Sequence, residues 1–319
     1  MPNSIYEAFK TRIHELEHQA VRDLAWCCFS PPIIDKLPDI EATILHFAHD
    51  DLWGWLEELD QHPDELLAQI AQTKSTRLGI YYETLWRFFF SHRPDWKLLH
   101  HNLQVERNGI TLGAFDFLCR HLNEYWHIET AVKFYLCISE NAQDALKWES
   151  WIGPASHDRL DLKLKHLSQH QLPLHQSPEA KTQLQQAHPE NTNWKTGLCM
   201  QGYLFSPAPE SFHPKHSNKN HGSGYWWFLS DFLHYINNHA ETKWIILDRQ
   251  RWLSPAHSSD SDELIQGDNL VGQLQKQIGE NKRPLLLAAM EERKLINSER
   301  IIWQEFLRCF VVPDNWPEN

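Results

Sequence analysis

KLLHHNLQVERNGITLGAFDFLCRHLNEYWHIETAVKFYLC, residues 97–137, is the stretch that decides the fold. Asn108-Gly109 separates two runs able to extend, and Asn-Gly is the strongest short signal for a two-residue hairpin turn. An antiparallel pair follows, with Arg107 across from Ile110 and, counted outward without a bulge, His101 across from Asp116. YWHIETAVKFYLC is rich in aromatic and β-branched residues and predicts a third strand, buried on at least one face. Alternation puts Glu129, Ala131 and Lys133 on one face and Ile128, Thr130 and Val132 on the other.

Outward from this core, RLGIYYETLWRFFFSHRP reads as a helix that stops at Pro94. HDRLDLKLKHLSQHQL reads as an amphipathic helix carrying Leu160, Leu164 and Leu167, and LCMQGYLFS as a further strand. Residues 75–206 thus run helix, strand, strand, strand, helix, strand. Before them, 1–74 form an acidic helical region, with helices expected over 5–29 and 39–73 and a break at Pro31-Pro32. After them comes a Pro-, Ser-, His- and Asn-rich loop, 206–224, which opens a C-terminal α/β segment, 207–319, packed on the core. There YWWFLSDFLHYINNH and NLVGQLQKQIG read as helices, TKWIILDRQRWL and RPLLLAAMEE as strands, and RIIWQEFLRCFVVP as a helix with a short extended end.

Composition narrows the function. With 15 Trp, 15 Phe and 8 Tyr in 319 residues the chain has ample core and is no disordered segment. Only 12 residues are Gly; no G-x-G-x-x-G, G-x-x-x-x-G-K or G-x-S-x-G occurs, which removes the usual nucleotide-binding and serine-hydrolase readings. No apolar run spans a membrane, and MPNSIYEAFKTRIHELEHQA has no secretion-signal pattern. Six scattered cysteines without C-x-x-C, the adjacent Cys27-Cys28 reading as buried helical thiols, complete the expectation of a reduced, cytoplasmic protein. The net charge of −12 argues against a general nucleic-acid coat, yet residues 1–70 alone hold 14 acidic and 4 basic side chains. The remaining chain is nearly neutral and can still carry a basic groove, while the acidic helices offer a surface for a protein partner.

Three acids interrupt apolar surroundings: Glu83 in IYYETLW, Asp116 in AFDFL and Glu129 in HIETAVK. An ionised carboxylate there costs several kcal/mol unless it is paired, hydrogen-bonded or metal-bound. Asp116 and Glu129, from adjacent strands, form a hard-oxygen pair suited to Mg²⁺ or Mn²⁺, with His101 and Gln104 as neighbours on the facing strand. The other reading makes Glu129 part of a structural ion pair with Lys133 or His127. Elsewhere, His14-Glu15-Leu16-Glu17-His18 fits H-E-x-x-H but lies in the first helix with no third ligand, and reads as a solvated helix face. His166 and His170, and the loop residues His213, His216 and His221, read the same way in a chain with 21 His.

The segments NLQV, TLGAFDFL, HIETAVKFYL, GPASHDRLDLKLKHLSQHQL, MQGYLF and FVVPDNWP together resemble a bacterial family of unknown function, domain-of-unknown-function family 1853. The core also resembles the PD-(D/E)XK nuclease superfamily. That resemblance implies a restriction-endonuclease-like mixed sheet and metal-dependent cleavage of DNA or RNA. Asp116 would match the signature Asp, Glu129 the signature Glu and Glu83 the acid of the first helix. Arg159, Lys163 and His166 would touch the phosphate backbone. Ala131 stands where the superfamily lysine belongs. Lys133 shares the face but sits roughly 13 Å along the strand from Glu129. Lys163 or Lys165 from the next helix could supply the charge instead, or the site is an inactive scaffold that binds nucleic acid or protein.

Overall fold

The computed structural model describes residues 3–317 apart from 39, 48, 50, 192 and 296–299, with the backbone alone at 3–5, 7 and 281. The chain begins with α1 (Asn3–Arg12), α2 (Gln19–Phe29), a two-residue strand β1 (Thr43–Ile44), α3 (Asp51–Gln61) and α4 (Asp64–Ala71). Next come α5 (Leu78–His92), β2 (Trp96–Arg107), β3 (Ile110–His121), β4 (Glu124–Cys137), α6 (Ala142–Ala145), β5 (Trp151–Ile152), α7 (Leu160–His166), α8 (Pro178–Ala187) and β6 (Trp194–Pro207). The remainder is β7 (Gly222–Phe228), α9 (Leu229–Asn237), β8 (Lys243–Leu247), β9 (His257–Ser258), α10 (Gly267–Asn281), β10 (Leu285–Lys294) and β11 (Ile301–Val312).

The described residues form a mixed α/β structure around one eleven-stranded sheet, whose main path is β2-β3-β4-β6-β7-β11-β10-β8. Asn108 and Gly109 both take positive φ (52° and 78°), the requirement of a tight hairpin turn, and Arg107 faces Ile110. β4 and β6 run parallel, as a crossover through α7 and α8 requires. β6 then joins β7 in parallel, so the sheet passes without interruption into the C-terminal segment. Where β6 lies against β4, Gly202 has φ 144°, and a Cβ there would sit 1.7 Å from the Lys133 carbonyl oxygen. Only glycine fits.

β4 is buried on both faces. Ile128, Phe134 and Leu136 pack with Tyr82, Leu85, Trp86 and Phe90 of α5 and with the N-terminal helices. Ala131, Tyr135 and Cys137 pack with Leu160, Leu164 and Leu167. Helices α9 and α10 cover one face of the C-terminal strands. All six cysteines are buried free thiols, Cys27 and Cys28 on α2 among them. No helix of the described residues is long and apolar enough to cross a membrane.

Four expectations need correction. The first helix breaks: Leu16 is extended (ψ 132°), so His14 lies in a 3₁₀ turn and His18 caps α2. H-E-x-x-H therefore never shares a helix face. Thr43–Ile44 pairs with Gly197–Leu198 as a strand instead of extending a helix. Tyr225–Phe228 belongs to β7, and α9 starts only at Leu229. β11 is a strand between β10 and β7, because pairing on both edges outweighs the helical spacing of its apolar residues.

Candidate active site

The site stands where β3 and β4 part. Their ladder runs from His121↔Glu124 to Phe117↔Ile128 and stops. Beyond it, side chains replace backbone partners. The Asp116 N–H donates to Glu129 Oε1 at 3.4 Å, and the Thr130 N–H donates to Asp116 Oδ2 at 2.9 Å. The Thr130 hydroxyl donates to the same oxygen at 3.3 Å. The two carboxylates thus satisfy backbone groups that the splayed strands would leave orphaned.

Glu129 is fully buried and held from three sides. Besides the Asp116 amide, Oε1 accepts from His127 Nε2 at 2.7 Å, and Oε2 accepts from Gln171 Nε2 at 2.5 Å. Burial pushes His127 down to about 3, so it meets Glu129 as a neutral donor through Nε2 and leaves Nδ1 without a partner. Glu129 itself is pushed up to about 7 by burial, against the pull of its hydrogen bonds and of Lys163. Asp116 is raised to about 7 by burial and then by the charge of Glu129. Glu83, one helix away on α5, is raised to about 7 by burial and then by Asp116. Burial is the main reason each resists ionisation, and the acids add to it by lying within electrostatic reach of one another.

Lys163 answers all three. Its ammonium lowers the pKa of Glu83, Asp116 and Glu129 alike, while burial and then Lys133 lower its own. Lys163 Nζ donates to Gln171 Oε1 at 2.9 Å. Because the Gln171 amide also donates to Glu129, this one side chain ties lysine to carboxylate. The link depends on a π-helical turn, Leu167–Gln171, that continues α7 and brings Gln171 round toward the strand. Lys133 is engaged elsewhere: it forms an ion pair with Asp158, whose other oxygen accepts from the Tyr135 hydroxyl at 3.3 Å.

Asp116, Glu129 and Glu83 therefore come together, and Lys163 joins them from α7, the position from which it was one candidate to supply the charge missing at Ala131. His101 misses by one residue. A bulge between Val105 and Glu106 shifts the register, so His101 faces Phe117 and packs on its ring. Gln104 is exposed opposite Ala114 and contributes only its carbonyl, to Gln183. Arg159 is tied to Asp161 at 2.7 Å, and His166 is exposed beside His170. His14 is buried against His257, His18 pairs with Asp60, and His213 meets His221 at 3.2 Å.

Among the described residues no group of three or more His, Cys, Asp or Glu closes around a point as metal ligands do. The donor chemistry nonetheless fits a hard cation. Asp116 Oδ1 and both oxygens of Glu83 carry no hydrogen bond from the described residues, and a single lysine faces three carboxyl groups. Two carboxylates plus water are a common Mg²⁺ set.

A family model described as a domain of unknown function (DUF1853) matches residues 22–312. No curated protein and no solved structure gives a match.

Proposed function

Because the chain belongs to the DUF1853 family, whose description carries no activity, we propose its function from the site itself: metal-dependent hydrolysis of phosphodiester bonds in DNA or RNA. Under this reading residues 75–206 are a restriction-endonuclease-like core. The order α5-β2-β3-β4-α7-β6 and the acids at the β3/β4 fork support it. The observation that carries the proposal is the convergence of one half-buried lysine, Lys163, tied through Gln171 to Glu129, on three acids of raised pKa. Structural ion pairs do not need that excess of carboxylate.

Asp116 and Glu129, with Glu83, would hold Mg²⁺ or Mn²⁺, which when bound acidifies a water ligand and neutralises charge on a phosphoryl oxygen. His127, Thr130 and Gln171 fix the two strand carboxylates, so that little reorganisation remains when substrate arrives. Lys163 replaces the lysine absent at Ala131 and supplies the positive charge facing the scissile phosphate. Glu83, without a hydrogen bond from the described residues, is available to take a proton from an attacking water. Lys133 stays with Asp158 and takes no part in the reacting geometry.

The second reading is a nuclease-like scaffold that binds nucleic acid or a protein partner without cutting. It is favoured by one observation, that both oxygens of Glu129 are already occupied. A cleavage assay with Mg²⁺ and Mn²⁺ over single-stranded, duplex and branched DNA and RNA decides between them. Metal-dependent cutting that Asp116→Asn abolishes supports the nuclease. No cutting on any substrate, together with identical Mg²⁺ titrations of wild type and variant, refutes it.

A further inference from the structure

Away from the carboxylates, a cleft of about 540 Å³ opens between α1, the β6–β7 pair and the β10–β11 pair. Its lining spans the extremes of burial. His14 is 5% exposed, whereas Phe306 is 54% exposed, a large aromatic left facing solvent.

At the buried end of the cleft, His14 Nδ1 has no hydrogen-bond partner among the described residues, and the same holds for Arg22 Nε and His257 Nδ1 in the layer behind it. The two imidazole rings stand 5.9 Å apart, and the charge of Arg22 acts on both. Each such atom costs about 1–3 kcal/mol, and native structures tolerate few of them. Most nearby cations are paired, Arg300 with Glu17 and Arg251 with Glu263, and Arg22 lies beside Asp23 and Asp60. Burial and then Arg22 and Arg293 hold His14 down to about 4, while burial and then Arg22, His14, Arg300 and Arg251 hold His257 to about 3.

Arg293 is the exception, because the acids on the cleft wall are engaged elsewhere. Glu305 is taken by the Arg308 guanidinium and the Ala256 N–H, and Glu291 accepts from Gln304. Glu210 is exposed at the rim. Arg293 donates only to the neutral Gln304 Oε1, at 3.2 Å, and has no carboxylate partner among the described residues. A guanidinium with spare donors recognises a phosphate, and an exposed aromatic face lining the same cleft stacks a nucleobase. The volume suits a small ligand of that size.

The geometry points to a binding site for a nucleoside monophosphate, with the phosphate on Arg293 beside the His14 end and the base on Phe306. The site is separate from the carboxylates and does not rest on nuclease activity, since a monophosphate has no diester to cut.

Calorimetric titration of the full chain with AMP, CMP, adenosine and inorganic phosphate tests it, alongside Arg293→Gln and Phe306→Ala. Both altered side chains lie outside the core, and matching thermal melts confirm that the variants fold. The expected result is saturable monophosphate binding, roughly tenfold tighter than inorganic phosphate, weakened at least about tenfold by Arg293→Gln and about fivefold by Phe306→Ala. Absence of saturation at about 5 mM overturns the site. So does binding that neither variant changes. Equal affinity for phosphate and AMP, unmoved by Phe306→Ala, overturns the nucleotide assignment and leaves water as the partner of the buried polar atoms.

Discussion

Asp116→Asn should make the protein more stable, provided that divalent metal is removed and the pH is alkaline. Burial and Glu129 hold the Asp116 carboxyl at about 7 in the fold, against 3.8 for an unperturbed aspartate. A displacement of about three pK units at about 1.4 kcal/mol each sets an upper bound of about 4 kcal/mol on the cost of ionising it in place. Asp116 is only half-buried, and a carboxylate accepts the two Thr130 hydrogen bonds more strongly than an amide does. Those offsets halve the gain to about 2 kcal/mol. Unfolding entropy for 319 residues is about 0.7 kcal/mol/K, so Tm should rise about 3 °C. The native state binds more protons than the unfolded chain, and wild-type stability therefore falls as pH climbs from about 4 to about 7. The variant lacks that titration. The gap must be absent below about pH 4, grow up to about pH 7 and stay flat above it. Thermal scans in chelator at about pH 4, 5.5, 7 and 8.5 measure this, and added Mg²⁺ should narrow or invert the gap by stabilising only the wild-type fold. A variant no more stable than wild type at about pH 8.5 in chelator, or a gap independent of pH, refutes the electrostatic account of the site.

Other substitutions separate the remaining roles. Lys163→Met should lower the cleavage rate about 10²–10³-fold while Lys133→Met stays within about tenfold; the reverse order would return the lysine role to the strand. Gln171→Leu cuts the tie between Lys163 and Glu129, and kcat should fall about 10–100-fold with KM little changed, so a pure KM effect would show that Gln171 contacts substrate instead. Gly202→Ala drives a methyl into the Lys133 carbonyl and should cost more than about 4 kcal/mol, read as loss of soluble protein or a Tm drop beyond about 5 °C. A soluble variant with an unchanged melt would mean that β4 and β6 are not paired at this register.

What could be read in the sequence was local. Asn108-Gly109 sets a turn with its own two residues, and alternation along HIETAVKFYLC assigns faces one residue at a time, so the hairpin and the face of Glu129 follow directly. The bulge at Val105/Glu106 has no such signature: one extra residue in one strand moves His101 from Asp116 to Phe117. β11 misleads for a related reason. Trp303, Phe306, Leu307, Phe310 and Val311 recur at spacings of three and one, as on a helix face, and only the partners β10 and β7, brought from elsewhere in the chain, select the strand. Gln171 was out of reach altogether, since nothing in KHLSQHQL, residues 165–172, announces that the helix widens by a residue before it.

The lysine shows why an incomplete motif in sequence need not mean an incomplete site in space. Strand periodicity measures distance along one element, and by that measure Ala131 is a gap and Lys133 a poor substitute. The site, however, needs positive charge at a point, from whichever element passes there. Ala131 is 7% exposed and packs with Leu160, Leu164 and Leu167, directly in the layer where α7 crosses β4. A lysine at 131 would have to push its stem through that layer, and overpacking of this kind costs about 1–3 kcal/mol before any charge is buried. The small residue lets α7 approach the strand, and that same helix carries Lys163 to the carboxylates. The absence of a lysine at 131 and the position of Lys163 beside the carboxylates are thus two consequences of a single packing arrangement.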